Sequence, residues 1–263
     1  MRWLDALARR LSPGAAATER MAETYDASSR GDYARALEIW GPLAHAGVPR
    51  AQNNVGACFA EGLGVGRDPI LALQWLSASA AAGDRVGQRN CAAVYFKGEG
   101  VAQDYPQALA LYRAAAENGD APAQDMLSFI LLESEVVAPD YEGARRFAEL
   151  AAAQGIAASM TRLGMIFHNA LGVDRDPAQA VAWWRRGAER GDADGHAMLG
   201  AAYHLGAGVK RDSIEAFAWL TRAHAAGSTL AVGFLDAVRA GLSAQEIAAG
   251  ERRAGAPLPE PSS

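Results

Sequence analysis

A glycine recurs every 36 residues in this chain, at Gly47, Gly83, Gly119, Gly155, Gly191 and Gly227. A fixed period of that length constrains the fold more than any local motif, because it marks a stack of like supersecondary units. The clearest copy runs from Gly195 to Leu230, and the stretch 36 residues upstream repeats its grammar. Any reading of a single motif must first ask whether it recurs with this period.

One copy reads as two helices, A and B. In the copy that starts at Ala51, Val55 and Phe59 are four residues apart and so share one helix face. Gly62 and Gly64 then end helix A, since glycine enters positive φ without a steric penalty. Asp68-Pro69 starts helix B, with aspartate as the N-cap and proline at the first helical position. The cap recurs as Asp104, Asp140, Asp176 and Asp212. A small helix-B residue recurs as Ala72, Ala108, Ala144, Ala180 and Ala216, and a bulky one three later as Trp75, Leu111, Phe147, Trp183 and Trp219. Small residues let paired helices approach, and large ones fill the space between pairs. One pair cannot bury its apolar face alone, so the spacing predicts a stack of pairs.

The pattern Leu199, Gly200, Tyr203, Gly206, Gly208, Val209, Asp212, Ala216 and Trp219 resembles the Sel-one-like repeat (SLR) family, a relative of the tetratricopeptide repeat. The resemblance covers five copies, 51–230. It implies an all-α fold, an α/α right-handed superhelical solenoid of helix-turn-helix repeats. It also implies a non-enzymatic scaffold or adaptor that assembles protein complexes.

The flanks follow from the same register. Met1–Leu11 places Trp3, Leu4, Leu7 and Leu11 on one helix face and Arg2, Asp5, Arg9 and Arg10 on the other. A helix lying on an anionic membrane would look like this, and that gives the alternative reading of a membrane-peripheral adaptor. The segment is short for a stable anchor, so a helix capping the stack is preferred. Ser12-Pro13-Gly14 closes this first segment, 1–14. Residues 15–50 read as an atypical copy, with Asp32, Ala36, Trp40 and Gly47 in register but no paired-glycine loop. The third regular copy has Ser134 and Val136 where its neighbours have glycine, which reads as drift in a tolerant loop rather than a bend or a contact. Residues 231–253 read as C-terminal capping helices, the last starting at the capping box Ser243-Ala244-Gln245-Glu246. The proline-rich 254–263 reads as a disordered tail.

Composition narrows the function. A net charge of −5 argues against a partner held through phosphates, so no nucleic acid is expected. No apolar run is long enough to span a membrane, and no signal peptide is recognised, so the cytoplasm is the expected compartment. No cofactor is expected. The Gly62–Gly66 loop lacks both the strand and the spacing of a phosphate-binding fingerprint, and it recurs at Gly98/Gly100 and Gly206/Gly208, so it belongs to the fold. No HExxH, CxxC, GxSxG or SxxK motif occurs. Some proteins with these repeats have been labelled β-lactamase-like, but the lysine that chemistry needs one turn after its serine is missing, which leaves a hydrolase as the weakest reading. Cys58 and Cys91 do not match the cysteine pairs that secreted relatives carry within a copy, and read as small buried residues. His168 and His204 hold one position in adjacent copies, too few to ligate a metal without a third group.

In solenoids of this kind helix A lines the concave face, which would carry a protein or peptide partner. Carried over, that register selects Asn53, Asn54, Arg89, Asn90, Phe96 and Lys97 at the polar N-terminal end. It then selects Met126, Phe129, Arg162, Met165, His168, Asn169 and His204, with Met198 and Leu205, at the more apolar end. Asparagine amides bond both groups of an extended backbone, cations hold carboxylates, and methionine adapts its shape. The expectation is a groove that grips a peptide by a polar end and an apolar end.

Overall fold

Aspartates open most of the helices. The computed structural model of the chain describes residues 21, 24–25, 27–135 and 137–258. The amphipathic Met1–Leu11 segment, the break at Ser12–Gly14, the irregular-loop residue Val136 and the end of the tail at 259–263 lie outside the described residues. The described part is all-helical. The helices are α1 (Tyr33–His45), α2 (Pro49–Glu61), α3 (Pro69–Ala81), α4 (Arg85–Lys97), α5 (Tyr105–Glu117), α6 (Ala121–Glu133) and α7 (Tyr141–Ala153). They continue as α8 (Ala157–Asn169), α9 (Pro177–Glu189), α10 (Ala193–Leu205), α11 (Ser213–Ala225), α12 (Ala231–Ala240) and α13 (Ala244–Gly255). Even-numbered helices from α2 to α10 are the A helices and odd-numbered ones from α3 to α11 are the B helices. Asp68, Asp104, Asp140, Asp176 and Asp212 each accept backbone N–H bonds from the first turn of a B helix. Such a cap is worth about 1 kcal/mol, which biases each boundary locally.

The chain divides into two compact units, Met1–Ala123 and Gln124–Ser263. In the first, α1 packs on α2, α2 on α3, α3 on α4 and α4 on α5. Its core gathers Trp40, Leu43, Val55 and Cys58, and the Trp40 indole donates to the Thr24 hydroxyl at 2.8 Å. In the second, α7 to α11 stack in the same succession, and α12 and α13 pack on α11. Its deep core includes Leu163, Ile166, Leu199 and Leu220.

A helix-A glycine that recurs as Gly56, Gly164 and Gly200 has a steric cause. A Cβ on Gly56 would lie 2.8 Å from Leu76 Cγ, on Gly164 2.3 Å from the Trp184 ring, and on Gly200 2.7 Å from Leu220 Cγ. Large side chains are buried at Leu76, Tyr112, Trp184 and Leu220, one residue beyond the bulky position the repeat pattern singles out. Trp75, Leu111 and Trp183 are only half-buried, while Phe147 and Trp219 are buried as expected.

Helix A ends in the left-handed region at Gly62, Gly98 and Gly206, and at Ala170 in the fourth regular copy, with φ of 56°. An L-residue there costs roughly 1–2 kcal/mol. Ala170→Gly is expected to stabilise the protein by about 0.5–1 kcal/mol after the entropy glycine adds to the unfolded chain. A urea-unfolding midpoint that rises with unchanged slope confirms it, and a midpoint that falls contradicts it.

The capping box of α13 forms, with Ser243 and Glu246 bonded reciprocally. This helix runs to Gly255, past Ala254, the expected start of the tail. Arg222 donates to the carbonyls of Arg253 and Ala256 at 2.6 and 2.7 Å, and Leu258 packs beside the Trp219 cluster. Hydrogen bonds to Arg253 and Ala256 and an apolar contact at Leu258 hold the start of the segment expected as a disordered tail, despite Pro257.

Candidate functional site

The A helices of each unit present a ladder of polar side chains before they present a binding surface. In the first unit, Asn90 donates to the Asn53 amide oxygen at 2.9 Å, and Asn53 donates to that of Asn54 at 3.1 Å. Arg89 clamps both oxygens of Asp120 at 3.0 Å, and Asp120 caps the first turn of α6. The Arg89–Asp120 and Asn90–Asn53 bonds span 31 and 37 residues, close to one period, so they tie successive repeats together. Asn53 is buried and its amide is spent on its neighbours, as is the Arg89 guanidinium. Phe96 turns onto helix B of its own repeat, edge-on to Tyr105 and Tyr112. Lys97 alone among these residues keeps an exposed charge, 3.8 Å from Glu99. The associated pocket, beside Ala57, Ala60, Asn90 and Lys97, is small, about 150 Å³.

Asn53 and the residues at its place in the fourth and fifth regular copies, Thr161 and Ala197, face a neighbouring helix, not the open face. Asn53, Thr161 and Ala197 are 4%, 5% and 2% exposed. Thr161 donates to Asp192 at 2.6 Å, and Gly187 and Gly195 close over its hydroxyl. Leu132 is buried as well. Of the helix-A positions carried over from the register, the surface that remains consists of the next position and those one turn further on.

In the second unit that surface is apolar and recessed. A groove of about 280 Å³ is lined by Met165, His168, Asn169, Met198, Leu205 and Phe234, with Trp184 at its floor. It shares Met165 and Met198 with a second recess of about 400 Å³, bounded by Phe129, Glu133, Arg162, Asp192 and Asp194. Phe129, Leu205, Leu230 and Phe234 are large apolar side chains left exposed around it, Leu205 to 63%. Arg162 lies over the Phe129 ring at 5.7 Å and donates to Asp125 at 2.7 Å, and Ser159 donates to the same carboxylate at 2.5 Å. Met126, on α6, is half-buried. His168 packs against Trp184 with ring centroids 5.3 Å apart, and His204 edges Phe234 at 6.4 Å. The two histidines therefore pack against different aromatic rings. Among the described residues no three His, Cys, Asp or Glu side chains cluster as a metal site requires.

Trp184 and Phe234 were missed in the sequence register, and both had a signal. Phe234 stands one period after Met198, so extending the period beyond Leu230 places it in the Met126, Arg162, Met198 column. Trp184 is the second residue of a Trp-Trp pair whose first member fits the repeat pattern.

Both cysteines are buried. Burial pushes the Cys58 thiol up to about 11 and raises Cys91, whose bond with Ser77 partly offsets the burial. Both thiols are free, and neither is poised for attack at neutral pH. Burial, foremost, holds His196 below the ordinary imidazole range, with its ring stacked 5.4 Å from Trp219. No helix among the described residues is long and apolar enough to cross a membrane.

A family model, the Sel1 repeat, matches residues 49–84, 86–120, 121–156, 157–192 and 193–228. The chain belongs to the Sel1 repeat family. It is similar in structure to a protective antigen of uropathogenic Escherichia coli strains that displays an SLR fold, with 32% identity and a TM-score of 0.79. That similarity covers 85% of this chain but 48% of the antigen, so the chain spans about half of that relative. A Sel1 repeat protein from Oxalobacter formigenes is similar in fold, with 24% identity and a TM-score of 0.80, over 92% of this chain and 99% of that one. No curated protein matches the sequence. Proteins of this repeat family are generally non-catalytic helical scaffolds that bind other proteins.

Proposed function

We propose that this chain is a non-enzymatic interaction protein that holds a segment of a partner protein in the helix-A groove of its C-terminal unit. The observation that carries the reading is the continuous recess around Met165 and Met198, rimmed by exposed Leu205, Leu230 and Phe234. Large apolar side chains gathered on a soluble surface mark interaction sites more often than isolated ones do. The methionines suit an occupant that is not preformed to a single shape.

The polar N-terminal wall takes a different role in this reading. Asn53, Asn90 and Arg89 hold successive repeats together, so their first contribution is to stability. The test is capture of a partner by the full chain, compared with Met198→Ala/Leu205→Ser and with Lys97→Glu as baits. The expected result is a partner whose capture falls about tenfold or more with the groove bait and is unchanged with Lys97→Glu. A partner lost with Lys97→Glu and kept by the groove bait would move the site to the first unit.

A further inference from the structure

The charge on the groove wall narrows the chemistry of its occupant. Three carboxylates, Glu133, Asp192 and Asp194, border the recess that continues from the Met165–Met198 slot. The one guanidinium beside them, Arg162, already donates to Asp125 at 2.7 Å and stands 3.5 Å from Glu133. Asp192 accepts from the Gly195 N–H and the Thr161 hydroxyl, and Asp194 accepts from the Ser228 hydroxyl at 2.6 Å. A carboxylate offers about four acceptor sites, so these bonds leave capacity on the open side. Asp194 and Glu133 are exposed. The apolar slot is therefore continuous with an acidic shelf whose cation is already engaged.

The geometry points to a basic amphipathic segment of a partner protein as the occupant, with a leucine-sized side chain in the slot between Met165, Met198 and Phe234 and a lysine or arginine on the Glu133/Asp194 shelf. This rests on the groove reading above and adds its polarity. An acidic segment would set its carboxylates against three of the same sign, which costs affinity and slows encounter. A purely apolar segment would fill the slot and leave the shelf without a counter-charge. Lysine and arginine carry their charge at the end of an apolar stem, so one side chain can cross from slot to shelf.

The test is fluorescence anisotropy of the full chain with three labelled synthetic peptides: an amphipathic leucine–lysine peptide, its leucine–glutamate counterpart, and an alanine–lysine peptide of equal charge. The variants are Glu133→Lys/Asp194→Lys and Leu205→Ser, all at exposed positions, with circular dichroism melts establishing that each folds. The leucine–lysine peptide is expected to bind, and to weaken about tenfold or more with either variant, while the leucine–glutamate peptide binds at least about tenfold more weakly. Equal binding of the lysine and glutamate peptides, both abolished by Leu205→Ser, overturns the charge assignment and leaves the groove reading standing. Equal binding of the alanine–lysine and leucine–lysine peptides overturns the apolar anchor. Binding of no peptide overturns the inference and removes support from the groove. Sedimentation that shows a dimer dissolved by Leu205→Ser would assign the groove to a second copy instead.

Discussion

Gly208→Ala is expected to destabilise the protein by about 3 kcal/mol or more, although Gly208 is solvent-exposed. Its φ is +74°, and a Cβ there would lie 2.0 Å from the Pro177 carbonyl oxygen and 2.3 Å from its carbon. Backbone cannot rotate away as a long side chain can, so the first turn of α9 must move. The same contact recurs down the chain: Gly100 meets Pro69 at 2.1 Å, Gly64 meets Tyr33 and Ala34, and Gly172 meets Tyr141. In these four loops the glycine thus seats the loop on the start of the preceding repeat's helix B. Gly191→Ala is the control. Gly191 has φ of +83° but open space around it, so only the roughly 1–2 kcal/mol of backbone strain applies. Urea unfolding of both variants separates close approach from conformation, and equal losses would mean that the contact with Pro177 contributes nothing.

Trp184→Ala is expected to cost about 3–5 kcal/mol, and Trp183→Ala clearly less. Trp184 is 4% exposed and its ring lies over Gly164, so truncation opens a cavity between α8 and α9. Trp183 is half-buried beneath the Arg186 guanidinium, 4.9 Å from its ring centroid. Its loss removes surface packing and a cation–π contact of the order of 0.5–1 kcal/mol. Thermal or urea unfolding of the two variants, followed by circular dichroism, checks the order. If Trp183→Ala proved the more damaging, the packing register described for helix B would be wrong.

The fold was legible because its determinants are local and repeated. An aspartate cap, a proline at the first turn and a glycine after the last are each read within a few residues, and the period multiplies them. Register finer than one residue was harder. Positions three and four apart both share a helix face, so the repeat pattern alone did not separate Trp183 from Trp184. Only the facing Gly164 decides which one goes deep. The polar helix-A residues were harder still. Whether Asn53, Arg89 or Arg162 faces a ligand or the next repeat depends on partners 31 to 37 residues away. In the structure the two arginines donate to Asp120 and Asp125, and Asn90 donates to Asn53. The apolar groove was half-visible. Met165, Met198 and Leu205 stood in the helix-A register, but Phe234 sits where the pattern decays, and Asp194 precedes the register positions.

The groove can be watched directly through its methionines. Methyl-labelled full chain, titrated with the leucine–lysine peptide and followed by NMR, reports Met165 and Met198 inside the groove and Met160 in the core, 3% exposed. Binding as proposed shifts or broadens the Met165 and Met198 methyl signals and leaves Met160 in place. Methyl signals of Met165 and Met198 that stay fixed while the peptide binds would place the interaction elsewhere on the chain and contradict the assignment of function to this groove.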